Sequence, residues 1–344
     1  MADPVRKREL GRGERVVPGV WRLRLPLPWP GVPHCNAWAV AAGDGIVLFD
    51  TGMHEPGSLA NLERALAMVN LKLEHVRLVV CTHAHSDHYG QVATVVERTG
   101  CELWMHPNHE HMTRTAADPD AALQRRIEVA RTSGVPEEPL RAYAEARKGQ
   151  GYGIAGIVEP HRDLVPGVVV DTDLGGWDVH ETPGHAPSHV CLHQPERRLL
   201  ISGDHLLGRV SLYYDYGYSP DPAGEFLHSL DVVEDLDARL CLAGHGRTFT
   251  DVQAHITANR TLVAQRVQRV LDVVTFDGPI SAYEAVPRVY GEAISAATAN
   301  WWLSETLCYL RHLEVTGRVQ RIAAEGDGPV ERWAASGERL GQDA

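Results

Sequence analysis

Lysine is almost missing from this chain: it stands only at positions 7, 72 and 148, so 30 of the 33 basic residues are arginine. Positive charge as a whole is in deficit. Against 45 acidic residues the formal net charge is −12 and the pI is near 5.9. Such a mean field repels phosphate backbones, so a nucleic-acid function would need a local basic patch, and the sequence has no obvious one. Cysteine is scarce and scattered, at 35, 81, 101, 191, 241 and 308. The absence of any CxxC pair argues against a disulfide framework or a cysteine zinc site and fits a reducing cytoplasm. No apolar run approaches the roughly 18 residues of a membrane span, and the first fifteen residues, MADPVRKRELGRGER, hold no apolar h-region. A standard secretory leader and a membrane location are therefore not expected. Solenoid-type repeats and low-complexity segments are also lacking.

What is present is ordinary globular material. The chain has 344 residues, 44% apolar and 23% charged, enough for a sizeable core and, by length, for one large domain with a smaller companion. From 16 to 50 short strands alternate with turns: VWRLRLPLP, a proline-rich loop PWPGVPHCN, AWAVAAGDG with a hairpin turn at Gly43–Gly45, and IVLF ending at Asp50. Leu59, Leu62, Leu66 and Val69 have helical spacing. The strand VRLVVCT then feeds a loop and the helix GQVATVVERTG. Residues 108–150 are polar, rich in Ala, Arg and Glu, and predict two helices. Strands return at GVVVDTD, WDVHETPG, RRLLISGD and RLCLAGHG. Beyond 250 the texture is helical, with Ile256, Val263, Val267, Val270, Leu271 and Val274 on one stripe and a Ser281/Glu284 capping box. A third helix through WWLSETLCYLRHLEVTG and two short strands, RVQRI and ERWAA, complete the pattern of a small winged-helix-like unit.

Chemistry concentrates at strand ends. CTHAHSDHYG, residues 81–90, places His83, His85, Asp87 and His88 within six positions. Four such side chains behind an apolar strand would cost several kcal/mol in desolvation if buried without partners. A single buried histidine is more often structural than a ligand; this density is different. In an extended loop residues i and i+2 point the same way, so His83 and His85 can converge on one cation while Asp87 and His88 turn toward a second. Each group then needs a further ligand, and three other strand ends offer His185 in TPGH, Asp204 in SGD and His245 in AGHG.

THAHSDH followed in order by TPGHAPSH, SGD and GHG resembles the metallo-β-lactamase-fold hydrolase superfamily, over about residues 16–250. That resemblance implies an α/β protein, an αββα sandwich with the site along one edge of two packed sheets. It implies that His83, His85 and His185 bind a first metal, that Asp87, His88 and His245 bind a second, and that Asp204 bridges them. Asp50 in FDTG matches an acidic residue that orients ligand imidazoles from behind, and His189 and His205 are expected in supporting rather than ligand positions. An intact Asp87 with Asp rather than Cys in SGD resembles the glyoxalase II-like hydrolases and departs from true β-lactamases. The proline-rich loop, the helical insertion and the tail resemble lactamase-like hydrolases with a C-terminal winged-helix-like domain. The expected division is residues 1–250, catalytic, with the insertion at 108–150, and 251–344, C-terminal.

The expected activity is hydrolysis of a thioester or small ester of a small-molecule acyl substrate. Two divalent ions, zinc first with iron or manganese as substitutes, would generate hydroxide at neutral pH, with Asp87 both ligand and orienter of the water. A thiolate leaves without a strong general acid. Two alternatives share the pattern: a phosphodiesterase or endoribonuclease, and a mononuclear iron persulfide dioxygenase. Residues 251–344 hold 9 Arg, no Lys and 12 acids, a net −3 and a poor surface for nucleic acid, so the tail reads as a packing or homodimer unit or a pocket wall. Metals as purely structural staples fit poorly, since structural zinc favours closed, Cys-rich sites. Tyr213, Tyr214 and Tyr216, in SLYYDYGYSP, are candidate substrate contacts or packed loop anchors. Trp301 and Trp302 are expected in the core or an acyl pocket wall, and His106, His109 and His111 at a solvated helix start.

Overall fold

The computed structural model describes residues 10–29, 31–291, 299–322 and 330–337. Most of the stretch read for a leader, and Pro30 of the proline-rich loop, lie outside them.

The chain opens with an antiparallel run, β1 (Arg12–Val17), β2 (Val20–Pro26), β3 (His34–Ala42) and β4 (Gly45–Phe49), then α1 (Ser58–Ala67) and β5 (Val76–Val80). A one-turn helix α2 (Ser86–Tyr89) leads to α3 (Val92–Thr99) and β6 (Glu102–Met105). Three helices follow, α4 (Glu110–Ala117), α5 (Pro119–Thr132) and α6 (Glu137–Arg147), before the short β7 (Arg162–Asp163). These strands form one sheet in the order β1-β2-β3-β4-β5-β6-β7, parallel from β4 onward. The second sheet takes β8 (Val169–Thr172), β9 (Gly175–Glu181), β10 (Val190–Gln194), β11 (Leu199–Gly203) and, after α7 (Pro222–Glu234), β12 (Leu240–Ala243). The remainder is α8 (Val252–Asp277), α9 (Ala282–Tyr290), α10 (Ala299–Val315) and the hairpin β13 (Val319–Ile322) with β14 (Arg332–Ala335).

Side-chain alternation explains the layering. In β4, Ile46 and Leu48 face outward onto α1 and α3, where Leu62, Leu66, Val92 and Val95 cover them. Val47 and Phe49 face the second sheet, where Phe49 meets Trp177 at 5.7 Å between ring centroids. The uninterrupted run IVLF is what a strand buried on both faces requires. The second sheet does the same: Leu192, Ile201 and Leu242 point inward, Cys191, Leu200 and Cys241 outward. The outer group belongs to a cluster that also takes Phe226 and Leu230 of α7, Ile256, Val263 and Val270 of α8, and Leu307 and Leu310 of α10. The architecture is therefore helix, sheet, sheet, helix, with a C-terminal helical region packed onto the second outer layer.

Several elements depart from expectation. β3 begins at His34, inside the stretch read as loop, and β1, β6, β7 and β10 were not anticipated. The insertion holds three helices, not two: Asp118 caps α5, accepting from Ala121 N at 2.9 Å, and Pro119 sits at its first turn, where a proline starts a helix without loss. The predicted α8 stripe is buried except Leu271, which is partly exposed and replaced inward by Val273. The Ser281/Glu284 box is formed in both directions.

Candidate metal centre

Loops leaving β5, β9, β11 and β12 meet at one rim of the sandwich. After β5 the chain continues to His83 and His85, and the first turn of α2 carries Asp87 and His88. Asp50, at the end of β4, clamps this loop: its carboxylate accepts from Thr82 N at 2.8 Å and Thr82 Oγ1 at 3.0 Å. Its own φ of 62° is left-handed, a conformation that costs a non-glycine residue on the order of 1–3 kcal/mol and persists where surrounding contacts over-determine it. Val190 N donates to Thr82 O at 2.9 Å and so ties the loop to the second sheet. Two glycines allow the close approach. At Gly184 (φ +115°) a Cβ would lie 2.5 Å from Phe226 N, and at Gly244 one would lie 2.2 Å from Asp204 Oδ1.

The seven anticipated side chains come together. Ligand atoms of His83, His85 and His185 lie within 4.8 Å of one another, as do those of Asp87, His88, Asp204 and His245. Asp204 stands between the groups: Oδ2 is 3.7 Å from His185 Nε2 and 3.1 Å from His245 Nε2, while Oδ1 is 3.3 Å from His88 Nε2. Asp87 Oδ2 is 3.1 Å from His245 Nε2.

Hydrogen bonds on the outer nitrogens decide what faces inward. His88 Nδ1 is 2.8 Å from Asp50, His185 Nδ1 is 3.0 Å from Tyr213 O, and His245 Nδ1 is 2.9 Å from His34 O. Carboxylates and carbonyls only accept, so these nitrogens carry protons and Nε2 is the atom left to face inward, a lone pair whenever the ring is neutral. Thr82 Oγ1, already donating to Asp50, accepts from His83 Nδ1 at 3.0 Å, with the same result. His83 Nε2, His88 Nε2 and Asp204 Oδ1 are buried without hydrogen-bond partners. His185 Nε2 and His85 Nδ1 stand 2.9 Å apart. Two lone pairs at that distance repel unless a cation, proton or metal, lies between them. Imidazole and carboxylate donors with fixed outer partners are the set a transition-metal ion takes, so the residues fit divalent cations.

The electrostatics agree. Burial, aided by neighbouring imidazoles, holds His83 well below its ordinary pKa and His185 at about 4, so both are neutral donors. Burial also acts to lower His88 and His245, but Asp204 and Asp87 overcome it, lifting His88 well above its usual value and His245 to about 10, so each of these rings favours a second proton at Nε2, the positive charge that a divalent ion would replace. Burial works to raise Asp204, yet His245 and His88 hold it well below the carboxylate range. The carboxylate half of the centre demands positive charge.

Supporting residues are now visible. His189 accepts from Asp204 N at 3.1 Å, and its Nδ1 lies 2.8 Å from Thr182 Oγ1. His205 is buried with its ring against Phe226. Tyr213 is half-buried, its ring 5.8 Å from that of His85 and 5.7 Å from that of His185. Tyr214 is fully buried against Phe226 and Tyr309, an anchor with no surface for a substrate, and Tyr216 packs partly buried on the C-terminal cluster. Trp301 and Trp302 are half-buried rather than core; Trp301 Nε1 donates to Leu212 O at 2.9 Å. The expectation of a solvated helix start at His106, His109 and His111 is overturned: all three are buried, because the segment folds back onto the rim. His111 reaches the centre's outer side, with Nε2 2.9 Å from Ser188 Oγ and Nδ1 3.0 Å from Asp215, and Asp215 in turn lies 2.9 Å from His85 Nε2. Asp215, His111 and Ser188 were not foreseen. Asp215 stands among the tyrosines after SGD and Ser188 lies inside TPGHAPSH, whereas no strand end marks His111.

Two sheets packed face to face between helical layers, with histidines and aspartates gathered at one rim, define the metallo-hydrolase class of αββα proteins. Residues 30–245 match the sequence profile of the metallo-beta-lactamase superfamily, and the chain belongs to that superfamily. It is 28% identical over 305 residues to the probable metallo-hydrolase YqjP of Bacillus subtilis (strain 168), covering 85% of this chain and 91% of that protein. An atrochrysone carboxyl ACP thioesterase of Aspergillus chevalieri is 23% identical over 339 residues, 95% of this chain and 90% of its own. Among solved structures, a metallo-beta-lactamase family protein of Thermus thermophilus superposes with a TM-score of 0.79 at 26% identity, covering 93% of this chain and 99% of that one.

Proposed function

We propose that this metal-dependent hydrolase uses two divalent ions, zinc foremost, to cleave a thioester or small ester, with His83, His85 and His185 holding one ion, Asp87, His88 and His245 the other, and Asp204 shared. The observation that carries the reading is the inward set itself: imidazole nitrogens and two carboxylates facing one another, the outer ring nitrogens already hydrogen-bonded. Bound there, such ions supply a water acidic enough to ionise near neutral pH and a Lewis acid for the scissile carbonyl.

The chain's own residues do the rest. Asp204, in contact distance of both groups, fixes their separation. Asp50 holds the proton on His88 Nδ1 and braces the ligand loop through Thr82. Asp87, buried beside His245, is placed to hold the second ion and would orient the water that such ions supply. The Tyr213 ring, beside His85 and His185, supplies one wall for the acyl group. A thiolate leaving group relieves the site of a general acid. The acidic balance of residues 251–344 favours a thioester over a phosphodiester backbone, and the thioesterase relative at 23% identity points the same way. The C-terminal region then reads as a winged-helix-like packing unit.

Asp87→Asn is the decisive variant. Assayed on metal-quantified protein with thioesters, lactones and bis(p-nitrophenyl) phosphate, the wild type is expected to prefer thioesters and carry about two ions per chain. The variant should keep its circular dichroism and lose turnover by about two orders of magnitude or more. Near-normal thioester hydrolysis by Asp87→Asn would reject the role given to Asp87, and one iron per chain with oxygen consumption would reject hydrolysis altogether.

A further inference from the structure

His85 differs from the other rings of the centre. His83, His88, His185 and His245 present Nε2 inward, whereas His85 presents Nδ1, 2.9 Å from His185 Nε2. A ring turned this way leaves Nε2 on the outside, and there it meets Asp215 Oδ2 at 2.9 Å, with both side chains nearly buried at 13% and 10% exposure. An ionised carboxylate cannot donate, so the proton of this contact belongs to His85 Nε2 and the lone pair to Nδ1.

Asp215 has a second contact on that oxygen. His111 of α4 places Nδ1 3.0 Å from the same oxygen, off the line of a good hydrogen bond, so the contact is a close electrostatic one. His111 Nε2 lies 2.9 Å from Ser188 Oγ, and Ser188 Oγ accepts from Ala84 N at 3.0 Å, one residue before His85. With Ser188 accepting from Ala84, its own hydroxyl hydrogen is available for His111 Nε2. The circuit runs from Ala84 through Ser188, His111 and Asp215 back to His85.

We infer that Asp215 is a positioning residue for the first cation group: it fixes His85 in the Nε2–H tautomer with Nδ1 turned inward, and the helical segment 110–147 braces it there through His111. The consequence for metal affinity rests on the two-ion reading; the tautomer does not. His85, His111 and Asp215 also bring ligand atoms within 4.8 Å of one another. With His85 committed to the first group through Nδ1, only two ligands remain, fewer than the three a catalytic ion takes.

The test uses the full chain as wild type, Asp215→Ala and Asp215→Asn, with two readouts. Long-range 1H–15N spectra of histidine-labelled protein, with and without zinc, should show His85 protonated at Nε2 in the wild type and shifted toward Nδ1–H in Asp215→Ala. In zinc titrations, one of the two equivalents should weaken about 10- to 100-fold in Asp215→Ala while the other changes less than about threefold. Asp215→Asn, whose amide oxygen still accepts, should fall between, and it carries the test if Asp215→Ala does not fold. Retention of Nε2–H on His85 in both variants would overturn the inference, as would a third zinc equivalent in the wild type that Asp215→Ala abolishes. If the wild type takes up no zinc, the two-ion reading fails, and the metal-free spectra still decide for or against Asp215.

Discussion

Gly244 shows how little room the centre leaves at the scale of single residues. A Cβ there would lie 2.2 Å from Asp204 Oδ1 and 2.8 Å from His88 Cε1. Gly244→Ala should therefore push Asp204 from its place between the two groups at a cost of about 1–3 kcal/mol, the usual range for overpacking. On the two-ion proposal, elemental analysis is expected to show the variant with one ion per chain or fewer, and the wild type's full complement in the variant would refute the role given to the glycine. The seven inward side chains were legible in the sequence because each follows an apolar strand in a short motif, so local order encodes spatial convergence. Asp215 and His111 were not, because their value comes from meeting His85 across the fold, 130 positions away in the case of Asp215. Tyr214 misled for a related reason: neighbours in sequence on an irregular loop face opposite ways, and Tyr213 turns to the centre while Tyr214 turns to Phe226.

At the scale of elements, the loop 211–216 is the joint between the centre and the C-terminal helices. Its backbone gives Tyr213 O to His185, and α10 grips it twice, through Trp301 Nε1 to Leu212 O and Ser304 Oγ to Tyr214 O, both at 2.9 Å. Trp301→Phe removes one of these bonds and leaves a carbonyl unsatisfied. It should lower unfolding free energy by about 1 kcal/mol, read as a fall in the urea midpoint at unchanged slope; an unchanged midpoint would show that α10 does not hold the loop. The layers themselves were readable from period-two and helical spacing. The short strands β6 and β7 were not, because four- and two-residue elements are too brief for periodicity to register and exist only through pairing with β5 and with each other.

At the scale of the whole molecule, stability should carry a pH signature from outside the histidine cluster. Glu305 on α10 is 2% exposed, and burial raises its pKa to about 7, against the opposing pull of its hydrogen bond from Tyr309. A carboxyl whose folded pKa exceeds its unfolded value near 4.5 holds a proton that the unfolded chain has released. Its contribution therefore declines as pH rises from about 4.5 through 7, and above 7 the buried charge costs on the order of 3 kcal/mol. Glu305→Gln should match the wild type near pH 4.5 and gain on it steadily toward pH 8 in urea unfolding. A gap that does not change with pH would place the charge elsewhere.

The outer face of the second sheet is covered by α7 together with helices drawn from beyond residue 250, in one unbroken apolar cluster. A chain cut at that boundary would bare Leu200, Leu230 and their neighbours to water. The tail is thus less an appendage than a lining sewn into the garment, and trimming it would also take away the two bonds by which α10 holds the loop beside the histidines.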